Sequence, residues 1–341
     1  MSRKKLTVAV VSILLTVFLQ PIATSLADDS SDGPSAGNSP WASGETPGGS
    51  SLSRGKDGGV YLPTRNAESA PKVGDGLGLG PVKYHAKGTV IVNPNIYLIW
   101  YGSWDLNSCS EPSGTTSTVS ITKDLISNLG DSSWNNINTT FYQKIKGEKT
   151  FVSSAIRYSG CTVDSASLGT NLDAVGGAQV SDVVSRAIKN RSLPSDEQGV
   201  YLVLTSSDIS VAGFLTQFCG YHSSFATPKA AIKYGFIGDP SANLASCAAQ
   251  RLVSPNNNPA ADAMASIIAH EVVEAISDPE GLSWFDKAGY ENADKCAWRF
   301  GTATKIANGS FMNMTLGQRP YLIQQNVAAN TNTCLSGLQE K

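Results

Sequence analysis

Residues 262–279 read DAMASIIAHEVVEAISDP, and His270, Glu271 and Glu274 within them carry groups that can hold a cation or move a proton. Successive helical residues are rotated by about 100°, so His270 and Glu274 project within roughly 40° of each other, with Glu271 roughly 60° beyond Glu274. The pattern H-E-x-x-E differs at one position from the H-E-x-x-H of zinc peptidases. There, ligands at i and i+4 chelate one ion, and the Glu at i+1 takes a proton from bound water. Zn2+ accepts carboxylate oxygen, so His270 and Glu274 can be its first two ligands and Glu271 the general base. The added negative charge weakens the ion as a Lewis acid and makes Ca2+ or Mn2+ more competitive. The bland alternative is a surface helix whose polar edge contains these three residues by chance.

Candidates for a third ligand follow in the run GYENADKC at 289–296. Asp294 and Glu291 lie where an acid on a following segment completes some zinc sites, and they rank ahead of Glu280, which directly follows Pro279. His222, in the run FCGYH, is a candidate ligand or a catalytic donor to an oxyanion, although such a histidine more often only ties down a loop. Trp284 is a candidate wall of a substrate groove, or else a packing cap.

These groups need a scaffold. Pro279 disfavours helix at the residue before it, so the motif helix should stop near residue 277 or 278. Met264, Ile268, Val272 and Ala275 give it an apolar face. Strand-like runs at 88–92, 95–101, 151–158 and 200–205 alternate with helical patterns at 117–129, 133–144 and 175–190, and 231–237 reads as an edge strand. The alternation predicts an α/β fold, a mixed sheet flanked by helices. A buried strand, an edge strand and then the ligand helix is the order of a zincin-like single domain, an analogy of fold alone.

The N-terminus sets the compartment. Arg3, Lys4 and Lys5 precede the apolar run 6–19, and Ser25-Leu26-Ala27 ends a signal peptide at 1–27, too short for a membrane anchor. Residues 28–83 are rich in Gly, Ser and Pro and read as a flexible leader, and 84–341 as the folded domain. A net charge of −2 gives no footprint for nucleic acid, and no membrane partner is expected once the signal is removed. Six cysteines in an exported chain suggest three disulfides out of 15 possible pairings. Cys219–Cys247 and Cys296–Cys334 each close a compact region, which leaves Cys109–Cys161. The folded domain contains no C-x-x-C for a thiolate zinc site, no G-x-S-x-G elbow (the one match, GPSAG at 33–37, falls in the leader) and no nucleotide loop opening a helix after a strand.

The runs NIYLIWYGSW, FCGYH, AHEVVEAISDP, E-x-x-D-x-C and YLIQQN, in this order, resemble the EXORDIUM (phosphate-induced protein) family over about 84–335. The resemblance implies secretion and an extracellular role more than any one reaction. Two functions follow. One is a secreted zincin-like metallohydrolase, most simply a peptidase. The other is a non-enzymatic signalling or cell-wall-associated protein whose acids hold a structural cation or none. The expected partner is an extracellular peptide or a cell-wall component, and the expected state a monomer.

Overall fold

The computed structural model describes residues 60–63, 80–86, 88–104, 109 and 114–339; the signal peptide and most of the expected leader lie outside them. Six strands form the main sheet: β1 (Val60–Pro63), β2 (Asn95–Tyr101), β3 (Arg157–Asp164), β4 (Gly199–Thr205), β5 (Phe218–Ala226) and β6 (Ala231–Gly238). Their order is β1-β5-β6-β4-β2-β3. β6, β4, β2 and β3 run parallel, while β5 is antiparallel to both β6 and β1, so the sheet is mixed.

Side-chain alternation explains why the central strands are apolar throughout. Ile96, Leu98 and Trp100 of β2, with Val200, Leu202 and Leu204 of β4, belong to one core; Tyr97, Ile99, Tyr101, Tyr201 and Val203 belong to the other. A strand covered on both faces cannot alternate apolar with polar. Helices α1 (Thr118–Leu129) and α3 (Pro259–Ser277) cover the first face and α2 (Val180–Lys189) the second. α1 begins where Ser117 Oγ accepts a bond from Ser120 N at 3.2 Å. α2 begins where Asp182 Oδ2 accepts from Gln179 N at 2.8 Å. Each cap fills an amide that the helix leaves without a partner.

Several sequence expectations are corrected. Residues 88–92 form no strand; Ile91 N instead donates to Ile276 O at the end of α3 (2.9 Å). Gly88 is needed there, because a Cβ would fall 2.2 Å from Ser283 Cα. The expected helix at 133–144 is a 3-10 turn (Asn135–Thr140) followed by the strand Tyr142–Ile145, paired with Glu148–Phe151. Lys146 and Gly147 connect these two with φ of 52° and 92°, the backbone that a tight hairpin turn demands. The strand expected at 151–158 is thereby divided between that hairpin and β3. β6 is interior rather than an edge, since β5 and β1 lie outside it. β1 itself comes from the stretch read as spacer.

The disulfides are Cys109–Cys161, Cys219–Cys247 and Cys296–Cys334, as expected. No helix of the described residues is long and apolar enough to cross a membrane.

Candidate metal centre

α3 begins on Asn258, whose side chain accepts from Ala261 N at 3.2 Å, with Pro259 in the first turn, where its missing N–H costs nothing. It ends at Ser277, and Asp278 Oδ1 then receives Leu282 N and Ser283 N, both at 2.6 Å, which turns the chain back. Every residue from Ala263 to Ser277 is buried. The helix is therefore wrapped on all sides and has no solvent edge, contrary to the reading of one apolar face. His270, Glu271 and Glu274 are buried with it, each no more than 1% exposed.

Two further segments bring charge to them. β5 carries His222, buried at 2% exposure. The loop after α3 carries Glu291 and Asp294, at 1% and 6%. That loop is fixed by Cys296–Cys334 and by a buried amide net: Asn292 Nδ2 donates to Asn138 Oδ1 (2.9 Å), and Asn138 Nδ2 donates to Val273 O (3.1 Å). Asp294 N donates to Glu274 Oε1 at 2.7 Å, which stitches the loop directly to the motif.

His270 Nε2 lies 3.2 Å from Glu274 Oε1 and 3.5 Å from Asp294 Oδ1, without hydrogen-bond geometry to either. His222 Nε2 hydrogen-bonds Glu291 Oε2 at 2.8 Å and lies 3.9 Å from Glu274 Oε2. Glu274 thus stands between two imidazoles. Two ligand sets have donor atoms within 4.8 Å of one another: His270, Glu274 and Asp294, and alternatively His222, Glu271 and Glu274. Both Glu271 oxygens, Glu274 Oε2 and Glu291 Oε1 have no hydrogen-bond partner among the described residues.

The electrostatics are those of acids held out of water. Burial pushes the Glu271 carboxyl well up; His270 opposes this, while Glu274 and Asp294 add to it. Burial also raises Glu274, helped by Asp294 and opposed by His270. Glu291 is raised well above the usual range by burial and then by Asp278 beside it. Burial alone would lower the His270 imidazole, but Glu274, Asp294 and Glu271 outweigh it and hold His270 well above its ordinary value. Without a cation, these carboxylates crowd one another in a dry site.

The residues fit a divalent ion. Ligand bonds of about 2.0–2.1 Å in a tetrahedron place donor atoms about 3.4 Å apart, and His270 Nε2 meets its two carboxylate neighbours at 3.2 and 3.5 Å. One nitrogen and two oxygens suit zinc, and the two carboxylates also admit Mn2+ or Ca2+.

The structure thus brings together His222, His270, Glu271, Glu274, Glu291 and Asp294. It does not bring Trp284, which corrects that expectation. Trp284 is fully buried, its Nε1 donates to Tyr142 O at 2.8 Å, and its ring packs edge-on against Phe141 and Tyr142. Two residues were missed as members of the cluster. Asp278 faces Glu291, whereas the sequence marked it only as a helix stop. Tyr290, with its hydroxyl buried, is raised by burial and by Asp294 and Asp286; only its place between two recognised acids could have signalled it.

Comparison with known proteins bears on the chain as a whole. Protein EXORDIUM-like 5 of Arabidopsis thaliana is 26% identical, over 80% of this chain and 83% of that protein. Protein EXORDIUM-like 3 of the same plant is 26% identical, over 71% and 79%. No solved structure matches. The model of the phosphate-induced protein 1 conserved region matches residues 82–336, which include every strand of the main sheet but β1, the helices α1, α2 and α3 and all six clustered residues. The chain belongs to the phosphate-induced protein 1 family.

Proposed function

We propose that this protein works outside the cell and binds a divalent cation, zinc first, through His270, Glu274 and Asp294. We further propose that it is a metal-dependent hydrolase, most simply a peptidase, with the zincin-like H-E-x-x-E helix at its centre. The observation that carries the reading is the spacing of 3.2 and 3.5 Å around His270 Nε2. When bound, the cation would supply a polarised water. The chain's own part is to hold and move the proton. Glu271 is adjacent, has two unfilled oxygens and is raised by burial, which suits a general base. His222, held by Glu291 at 2.8 Å, would serve as a donor to developing negative charge. Three disulfides agree with an oxidising compartment.

The test pairs elemental analysis of protein prepared without chelator with hydrolysis of a peptide library. Glu271→Gln is expected to keep the metal and lose about 10²- to 10⁴-fold in rate. Undiminished hydrolysis in that variant would remove Glu271 from the mechanism.

One observation favours a second reading, a structural cation in a non-enzymatic wall or signalling protein. None of the six residues is more than 6% exposed, and closed sites are characteristic of structural metals. Bound metal with no hydrolysis in the wild type would select it.

A further inference from the structure

The leader sends one strand back to the sheet, and its register is informative. Val60 is paired with His222, Tyr61 with Tyr221 and Leu62 with Gly220. Two of these β5 residues are at the cluster itself: His222 bonds Glu291, and a Cβ built on Gly220 would lie 3.1 Å from Glu271 Oε1. The strand therefore covers the sheet edge at the level of the buried acids.

β5 is nine residues long and β1 only four. Ser223–Ala226 pair with β6 alone among the described strands. The ladder shifts between Leu62 and Pro63, and Pro63 has no N–H to extend it. Such a short strand is marginal by its own bonds. Sixteen residues, 64–79, join it to the domain, and a covalent tether of such length sets an effective concentration on the order of millimolar.

We propose that the outer edge of β5 is a peptide-binding edge, occupied in cis by Val60–Pro63, and that an extended peptide of another protein takes the same place by strand addition. Main-chain N–H and C=O groups provide the affinity in such binding, so the ligand class is an extended polypeptide. Capture at this edge requires no metal and no turnover. Its failure would leave the cation reading untouched.

The test uses the full-length chain and a fluorescent synthetic peptide, GGVYLPTR, which repeats residues 58–65. Tyr61→Pro removes an amide from β1. A second variant combines Val60→Gly, Tyr61→Ser, Leu62→Gly and Pro63→Ser, which weakens the strand without a ring. Fluorescence anisotropy should show the peptide binding each variant about tenfold or more tighter than wild type, because the tethered competitor is gone. Hydrogen exchange at residues 220–223 should quicken in the variants and slow again when peptide is added. Equal affinity for wild type and both variants would overturn the proposal. A wild-type dimer whose protection at 220–223 rises with protein concentration would place a second copy's leader there, and would overturn it as well.

Discussion

Zinc added to the metal-free protein should raise its melting temperature, by an amount set by mass action. A cation that binds the folded chain and not the unfolded one adds about 2.7 kcal/mol at a free concentration one hundred times Kd. Unfolding entropy near 2.1 cal/mol/K per residue, taken over residues 82–336, comes to about 0.5 kcal/mol/K, so the expected shift is about 5 °C. His270→Ala takes away the nitrogen that sits 3.2 and 3.5 Å from the other two ligands. A hundredfold loss of affinity leaves about 0.4 kcal/mol at the same zinc concentration, a shift under about 1 °C. Glu271→Gln should keep the full shift, because Glu271 is outside this ligand set. The assay is calorimetry after dialysis against chelator, with Zn2+, Mn2+ and Ca2+ added in turn. A melting temperature that ignores all three cations refutes the site. Full response in His270→Ala, with loss in Glu271→Gln, would refute this ligand set and move the ion to His222, Glu271 and Glu274.

Lys295 and Asp286 form a buried pair at 2.8 Å, so Lys295→Met should cost about 3–5 kcal/mol in urea unfolding by stranding the aspartate; a cost below about 1 kcal/mol would mean that water reaches it. Gly220→Ala puts a methyl 2.6 Å from Ile267 Cγ2 and 3.0 Å from Phe236 O, and should destabilise by about 1–3 kcal/mol; unchanged stability would show that α3 can move off β5. Tyr97 donates its hydroxyl to Asp196 at 3.0 Å, and burial followed by that bond pushes its pKa up to about 12. Because the folded value exceeds the unfolded one, its stabilisation is present below about pH 10 and lost as pH rises through about 12. Tyr97→Phe should flatten the fall of stability across that window, and parallel curves for the two proteins would remove Tyr97 as its source.

What the sequence disclosed follows the range of each signal. The i, i+4 spacing in α3 is local, so His270 and Glu274 could be paired without coordinates. β2 and β4 were legible because a strand buried on both faces is a continuous apolar run. His222 is different. It reaches the cluster on β5 from 48 residues before His270, and sheet order is not written in any short window. β6 was taken for an edge because β5, its hairpin partner through the short turn between Ala226 and Ala231, reads as a small-residue loop, and β1 beyond it is placed by long-range pairing. β1 was missed because four residues among glycines and serines carry almost no periodicity. Trp284 stayed open between groove wall and packing cap because an aromatic after a helix gives the same local pattern whether it faces a groove or a core.

The acids of this protein divide by how their oxygens are filled, and that division bears on function. Asp278 Oδ1 accepts two backbone amides and closes α3. Asp262 takes Asn256 N at 2.8 Å and Asn256 Nδ2 at 2.6 Å near the helix start, where a negative charge is favoured. Asp286 meets Lys295 and the amides of Ala288 and Tyr290. The Asp262 and Asp286 carboxylates are used up by the fold, both oxygens of each being filled. Glu271 is as deeply buried, yet among the described residues neither of its oxygens has a hydrogen-bond partner, and Glu274 and Glu291 each keep one oxygen unfilled. Burying a carboxylate without partners costs several kcal/mol and is ordinarily avoided. A cluster kept for stability alone would have its oxygens filled as those of Asp262 and Asp286 are, or would have been replaced by apolar side chains at little cost. The cation proposed above would fill the oxygens left open beside the two imidazoles.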